Sequence, residues 1–216
     1  MDCLKQQVVV MFMLMLHVGV YGTTKESKQL SLWERAKSAL TVCTDQIKKD
    51  LISGAELPDT QLSVKDHFLH GLRLYGYNLS VKIAICSLRT SGEAVKDPNF
   101  KNWVVSSPWS MLYVALVGPV LEEAVYTYGI RLTRDYGIRL DVDPMYNNKA
   151  QFFAPILFGL AHTQYDEFLQ LACGLMNFIH HRSLITRKEY AYGPYISHIL
   201  HNVIVLGCTL WRSECN

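Results

Sequence analysis

The segment "NWVVSSPWSMLYVALVGPVLEEAVYTYGIRL", residues Asn102 to Leu132, decides how the chain is read. It carries no Asp, Glu, Lys or Arg from Asn102 to Leu121, and then places Glu122 and Glu123 side by side. An uncharged helix of that length can cross a bilayer core of roughly 30 Å. An ionised side chain at membrane depth is costly and points by default to function. The plainer reading takes Pro119 as the first turn of a new helical piece, whose dipole favours acidic residues near its start. That reading does not account for two carboxylates directly after a membrane-like run.

Working outward, three more uncharged stretches follow: Ala150–Tyr165, Phe168–His181 and Tyr190–Trp211. The last is long enough to span; the middle two are short enough to be re-entrant or buried. Ser107-Pro108, Ala154-Pro155 and Gly193-Pro194 read as helix starts, and Gly118-Pro119 interrupts the first stretch. The expected fold is all-α, a polytopic membrane helical bundle with an amphipathic helical N-terminal region. In that region "SLWERAKSALTVCTDQIKKDLI" has helical apolar spacing and is ended by Gly54 and Pro58. A second amphipathic helix is expected from Ser63 to about Leu88, with Arg73 and Lys82 making it a poor span. "RTSGEAVKDPN" then reads as a boundary loop. The expected division is 1–22 as signal peptide or N-terminal anchor, 23–100 as the amphipathic region, and 101–216 as the core.

Composition narrows the function. The chain has 216 residues, 50% hydrophobic and 19% charged, with a net charge of +2. That charge is too small to indicate nucleic acid, and no phosphate-binding glycine loop or zinc-finger spacing occurs. Mean hydropathy is +0.09, high for a soluble protein and low for a typical multi-span one. "VVVMFMLMLHVGV", behind a short start with one lysine, reads as a secretory signal with cleavage after Gly22, or as an uncleaved anchor. Six widely spaced cysteines give no disulfide framework and no thiolate zinc site, though a Cys43–Cys86 bridge is open to an oxidising lumen. Asn78-Leu79-Ser80 is a glycosylation sequon if that segment is lumenal.

Downstream of the glutamates, "FGLAH" sets Phe158 and His162 four apart, and "HILHN" sets His198 and Asn202 four apart, with His201 near the same face. Uncharged helices thus deliver two Glu, a His, and a His with an Asn. Nitrogen and oxygen ligands of this kind suit zinc or a similar divalent ion. A single His in an apolar helix is more often a hydrogen-bonded core residue.

"EEAVY", "FGLAH" and "HILHN" together resemble the three motifs of the CAAX prenyl protease and bacteriocin-processing family of intramembrane metalloproteases, which includes the type II CAAX prenyl endopeptidase. The likeness covers about Trp103 to Leu210. It implies a helical membrane bundle with an internal site, a divalent metal such as zinc, and hydrolysis of a peptide bond near or in the membrane. The implied substrate is a peptide or protein, with a prenylated C-terminus the best-known case. Glu122 resembles the glutamate that activates water, and Glu123 its partner, which orients the metal-site His. His162, His198 and Asn202 resemble the residues that hold the metal or the attacking water, with Glu122 beside them as a further ligand. Phe158 would pack beside His162. The family's arginine falls at Thr127 here, and Arg131 lies one turn further on.

Two alternatives stay open: a catalytically inactive membrane homologue acting by partner binding, and a secreted helical protein whose motifs coincide by chance. Arg182, Arg187 and Lys188 between the last two uncharged segments suggest a cytosolic loop. Counting back, 133–149 is cytosolic and 23–100 lumenal. The expected location is a membrane of the endoplasmic reticulum or elsewhere in the secretory pathway, in contact with lipid.

Overall fold

The computed structural model describes residues 41–42, 44–53, 62–88, 95–129, 131–132, 144–187 and 189–214. They are all-α, with one isolated antiparallel bridge between Val95 and Tyr165. Contacts divide the chain into Met1–Asp59 and Thr60–Asn216. In the first unit the described chain is helical and closes in a π-helical turn, Lys49–Ser53, where Gln46 Nε2 donates to Asp50 Oδ1 at 2.9 Å. The signal or anchor at 1–22 lies outside the described residues. So does the Cys43–Cys86 pairing, because Cys43 and the Cys86 side chain are not described.

The second unit holds α1 (Val64–Ser87), α2 (Pro98–Val105), α3 (Pro108–Gly129), α4 (Pro144–Ala161), α5 (Glu167–Thr186) and α6 (Gly193–Glu214). The division falls before α1 rather than at the loop near residue 100. Amphipathic patterning reads α1 as peripheral, but its buried face is polar as well as apolar: His70, Leu74, Asn78 and Leu79 are all buried.

The stretch Asn102–Leu121 is not one straight helix. α2 and α3 meet at 105°. Ser107, extended at φ −156° and ψ 156°, caps α3 by accepting from Ser110 N. Its conformation follows from Pro108, which disfavours helical backbone at the preceding residue. Among the described residues no single helix is long and apolar enough to cross a membrane; the bent α2–α3 pair passes that test only together.

Pro155 also departs from expectation, lying inside α4 rather than at a helix start. α4 and α5 cross there on glycines. A Cβ added to Gly159 would sit 2.5 Å from the Gln170 carbonyl oxygen, and one on Gly174 would sit 2.8 Å from that of Pro155. Small residues that let helix backbones touch are typical where polar and van der Waals contacts, rather than exclusion of water, hold helices together.

Polar side chains share the interior with apolar ones such as Leu74, Phe158 and Leu184, and apolar side chains also lie on the outside. Fully buried positions include Glu123, Thr127, Asn177, His180, Ser183, Ser197 and Asn78. Outward positions include Leu121 and Val125 on α3, Phe152, Phe153, Ile156 and Leu160 on α4, and Leu171 on α5, each more than half exposed.

Candidate functional site

α3 builds the site by departing from α geometry. Pro119 has no N–H and would clash with the carbonyl of an ordinary preceding turn. The chain widens instead into a π-turn over Tyr113–Val117, where Gly118 N–H bonds the Tyr113 carbonyl five residues back. In that register the next donor would be Pro119 N, and its acceptor would be Val114 O. Proline cannot donate, and Asn202 Nδ2 supplies the bond instead, at 2.8 Å from Val114 O. A short α segment, Gly118–Glu122, is followed by a second π-turn, Glu123–Gly129. π-turns of this kind concentrate at functional sites.

The second half of α3 presents Glu123, Tyr126 and Thr127 to α5, which answers with Asn177, His180 and His181. Both sets are spaced i, i+3, i+4, the helical same-face interval. His180 Nδ1 lies 2.7 Å from Glu123 Oε1, His181 Nε2 lies 2.6 Å from the Tyr126 carbonyl, and Asn177 Nδ2 donates to Thr127 Oγ1 at 2.9 Å. Thr127 is fully buried in this contact.

Four of the side chains singled out from the sequence meet at the head of this interface. Glu123, 1% exposed, accepts through Oε1 from His198 Nδ1 at 2.9 Å as well as from His180. It therefore orients His198 rather than His162. His162 follows the end of α4, and its Nδ1 lies 2.7 Å from the Phe158 carbonyl oxygen. Phe158, buried, packs its ring against the imidazole of His162 at 4.6 Å. Glu122 Oε2 then stands 3.7 Å from His162 Nε2 and 3.5 Å from His198 Nε2.

Tautomers follow from these partners. Carbonyl and carboxylate oxygens only accept, so Nδ1 carries the proton in both rings. In its neutral form each ring turns the lone pair of Nε2 toward Glu122 Oε2, which is itself an acceptor. Two acceptors facing each other in this way leave room for a proton or a cation between them. Ligands at 2.0–2.2 Å around a tetrahedral ion are about 3.4 Å apart. The two separations from Glu122 Oε2 are slightly wider, and among the described residues no group of three or more His, Cys, Asp or Glu side chains is arranged to hold a metal ion. Imidazole nitrogen and carboxylate oxygen are donor types that zinc accepts.

These groups line a cavity of about 360 Å³. Glu122, His162, His198 and Asn202 reach it from α3, the α4–α5 turn and α6, and its apolar wall includes Phe100, Trp103, Tyr113, Leu169 and Met176. α2 lies along this cavity. Its approach is pinned to the His162 turn by the Val95–Tyr165 bridge and by Lys96 N–H to Gln164 O at 2.8 Å. At the rim Lys96 pairs with Glu167, a contact that holds the Glu167 carboxyl below the usual carboxylate range. His201 also lines the cavity, and its Nε2 lies 3.3 Å from Lys82 Nζ of α1.

The sequence reading missed His180, Asn78 and Ser197. His180 Nε2 lies 2.8 Å from Asn78 Nδ2 and 3.2 Å from Ser197 Oγ. The signal was available as the Asn177, His180, His181 stripe in an uncharged helix. Asn78, read as a glycan acceptor, is 1% exposed and donates to Ser197 Oγ at 3.0 Å, so the folded chain offers it to no transferase. No protein-family model, curated protein or solved structure matches the chain.

Proposed function

We propose that the chain is a membrane-embedded metallopeptidase of the CAAX prenyl protease kind, hydrolysing a peptide bond of a substrate that enters the apolar cavity. The observation that supports this is that Glu122 Oε2 lies 3.7 Å from His162 Nε2 and 3.5 Å from His198 Nε2 in one cavity. Those three side chains would hold a divalent ion, zinc being the natural choice for the donor set. Bound there, such an ion acidifies water and polarises a carbonyl.

The protein's own groups do the rest. Glu122, with 35% of its side chain exposed, is the carboxylate that can take a proton from water in the cavity. Glu123 holds His198 in the Nδ1–H tautomer, so that its Nε2 stays a donor of electrons. Phe158 does the same for His162 through its carbonyl. Asn202, fixed on Val114 O, faces the cavity beside them. The aromatic and aliphatic wall suits an apolar or lipid-modified peptide. The outward apolar faces of α3, α4 and α5 support a bilayer as the surroundings, in a secretory-pathway membrane.

Metal content of the purified chain and of His162→Ala tests the centre, and cleavage of a prenylated CAAX peptide by membranes tests the chemistry. About one zinc per chain, lost in His162→Ala together with cleavage, is the expected result. Release into the soluble fraction on carbonate extraction would remove the membrane setting. A second reading, a metal-binding homologue without peptidase activity, is favoured by one observation: Thr127 and Asn177 fill the place of the family's arginine with a neutral hydrogen bond. Metal bound without cleavage of any peptide would select it.

A further inference from the structure

We infer that His180 is a positioning residue for the metal centre, acting through Glu123 on His198; this rests on the metal centre proposed above. The two imidazoles approach the same carboxylate oxygen, at 2.7 and 2.9 Å, and each presents Nδ1 to it. Glu123 sits in a site 1% exposed, and its Oε2 has no hydrogen-bond partner among the described residues. A buried carboxylate so placed is held in one rotamer by the N–H groups on Oε1. His198 cannot supply that alone, since its ring also faces the cavity. His180 can. It is fully buried and is not itself among the residues that line the cavity.

His180 is itself fixed from behind. With the proton on Nδ1, its Nε2 is an acceptor, and it meets Asn78 Nδ2 of α1 and Ser197 Oγ of α6. The chain of donation runs from Asn78 and Ser197 to His180, from His180 to Glu123, and from His198 back to Glu123. It draws on four helices and ends at the one ring that faces both the buried carboxylate and Glu122. Without His180 the Glu123 carboxylate keeps a single donor. It can then rotate, and His198 is free to move its own proton to Nε2. That tautomer has no lone pair for an ion. A histidine serving only to fill the core would not influence which nitrogen of His198 carries the proton.

The test is the zinc affinity of the full chain in detergent, by competition with a chelating dye, for wild type, His180→Ala and His180→Asn. Loss of such an outer partner costs about 10–100-fold in metal affinity, and that loss is expected in His180→Ala. His180→Asn keeps an N–H near the Nδ1 position and should recover most of it. If His180→Ala does not fold, Ser197→Ala removes one donor from behind the ring. It should weaken zinc about two- to fivefold, as expected for one neutral hydrogen bond. The imidazole Nδ1–H resonance of His198, followed by NMR in chelator, is the arm that needs no metal: it should shift or broaden in the variant. Equal zinc affinity in wild type and His180→Ala overturns the inference. A wild type that binds no zinc removes the proposed function instead. The resonance then decides alone: movement supports the positioning role, and an unmoved signal ends it.

Discussion

Replacing Glu122 by glutamine should change stability in opposite directions with and without metal. In the metal-free chain Glu122 Oε2 faces two imidazole lone pairs, at 3.5 and 3.7 Å. Glutamine keeps the shape and puts an NH2 group at that position, with one hydrogen for each ring. Contracting each contact by about half an ångström makes two neutral hydrogen bonds, each worth about 0.5–1.5 kcal/mol net. The variant should therefore gain about 1–2 kcal/mol in chelator at pH 8. For a unit of this size that raises the unfolding midpoint by about 3–6 °C. With zinc at one hundred times its dissociation constant, wild type gains about 2.7 kcal/mol. A variant binding zinc about a hundredfold more weakly gains only about 0.4 kcal/mol, so the order reverses. The assay is thermal unfolding of both proteins in detergent, with chelator and then with zinc. A variant less stable than wild type in chelator at pH 8 would refute the tautomers assigned to His162 and His198, and with them the reason for placing an ion there.

Gly159→Ala should destabilise by about 1–3 kcal/mol, because the new methyl meets the Gln170 carbonyl at 2.5 Å and pushes α4 from α5; chemical denaturation measures it. Asn202→Ala leaves the Val114 carbonyl without its donor and should cost about 1–3 kcal/mol of stability even in metal-free protein, whereas loss confined to metal affinity would show that the bond is not structural. Glycosidase treatment of the mature folded chain should leave its electrophoretic mobility unchanged, since Asn78 is enclosed by His180 and Ser197; a shift abolished by Asn78→Gln would contradict the buried network.

Helices with local signals were legible in the sequence. The amphipathic run expected from Ser63 to Leu88 is α1, Val64–Ser87, and Gly193-Pro194 opens α6. Motif spacing was enough to name Glu122, Glu123, His162 and His198, because same-face intervals survive any packing of the helices. What depends on neighbouring helices was not legible. Pro155 looks like a helix start until the glycines opposite it are seen to make room for a continuous backbone. The stretch from Asn102 has the length of a span, yet a serine cap before Pro108 folds it back on itself. His180 went unread because hydropathy averages a polar stripe into its apolar surroundings. The partners of that stripe sit on α1, α3 and α6, at sequence separations no local pattern can reach.

The π-turn at Tyr113–Val117 fixes the angular phase of the site. An α-helix advances about 100° per residue, and a π-turn is one residue accommodated without lengthening the helix by a full step. The half of α3 before the turn, with Trp109 and Leu112 outward, and the half after it, with Glu122 and Glu123 inward, are thus set at an offset that no uniform helix of this sequence could hold. Winding the same residues as regular α-helix, with none removed, would swing the two halves against each other by nearly a third of a revolution. Either the glutamates would leave the histidines, or the apolar face would leave its surroundings. The site consequently depends on a widened turn at a place where its composition, Tyr-Val-Ala-Leu-Val, gives no hint of constraint.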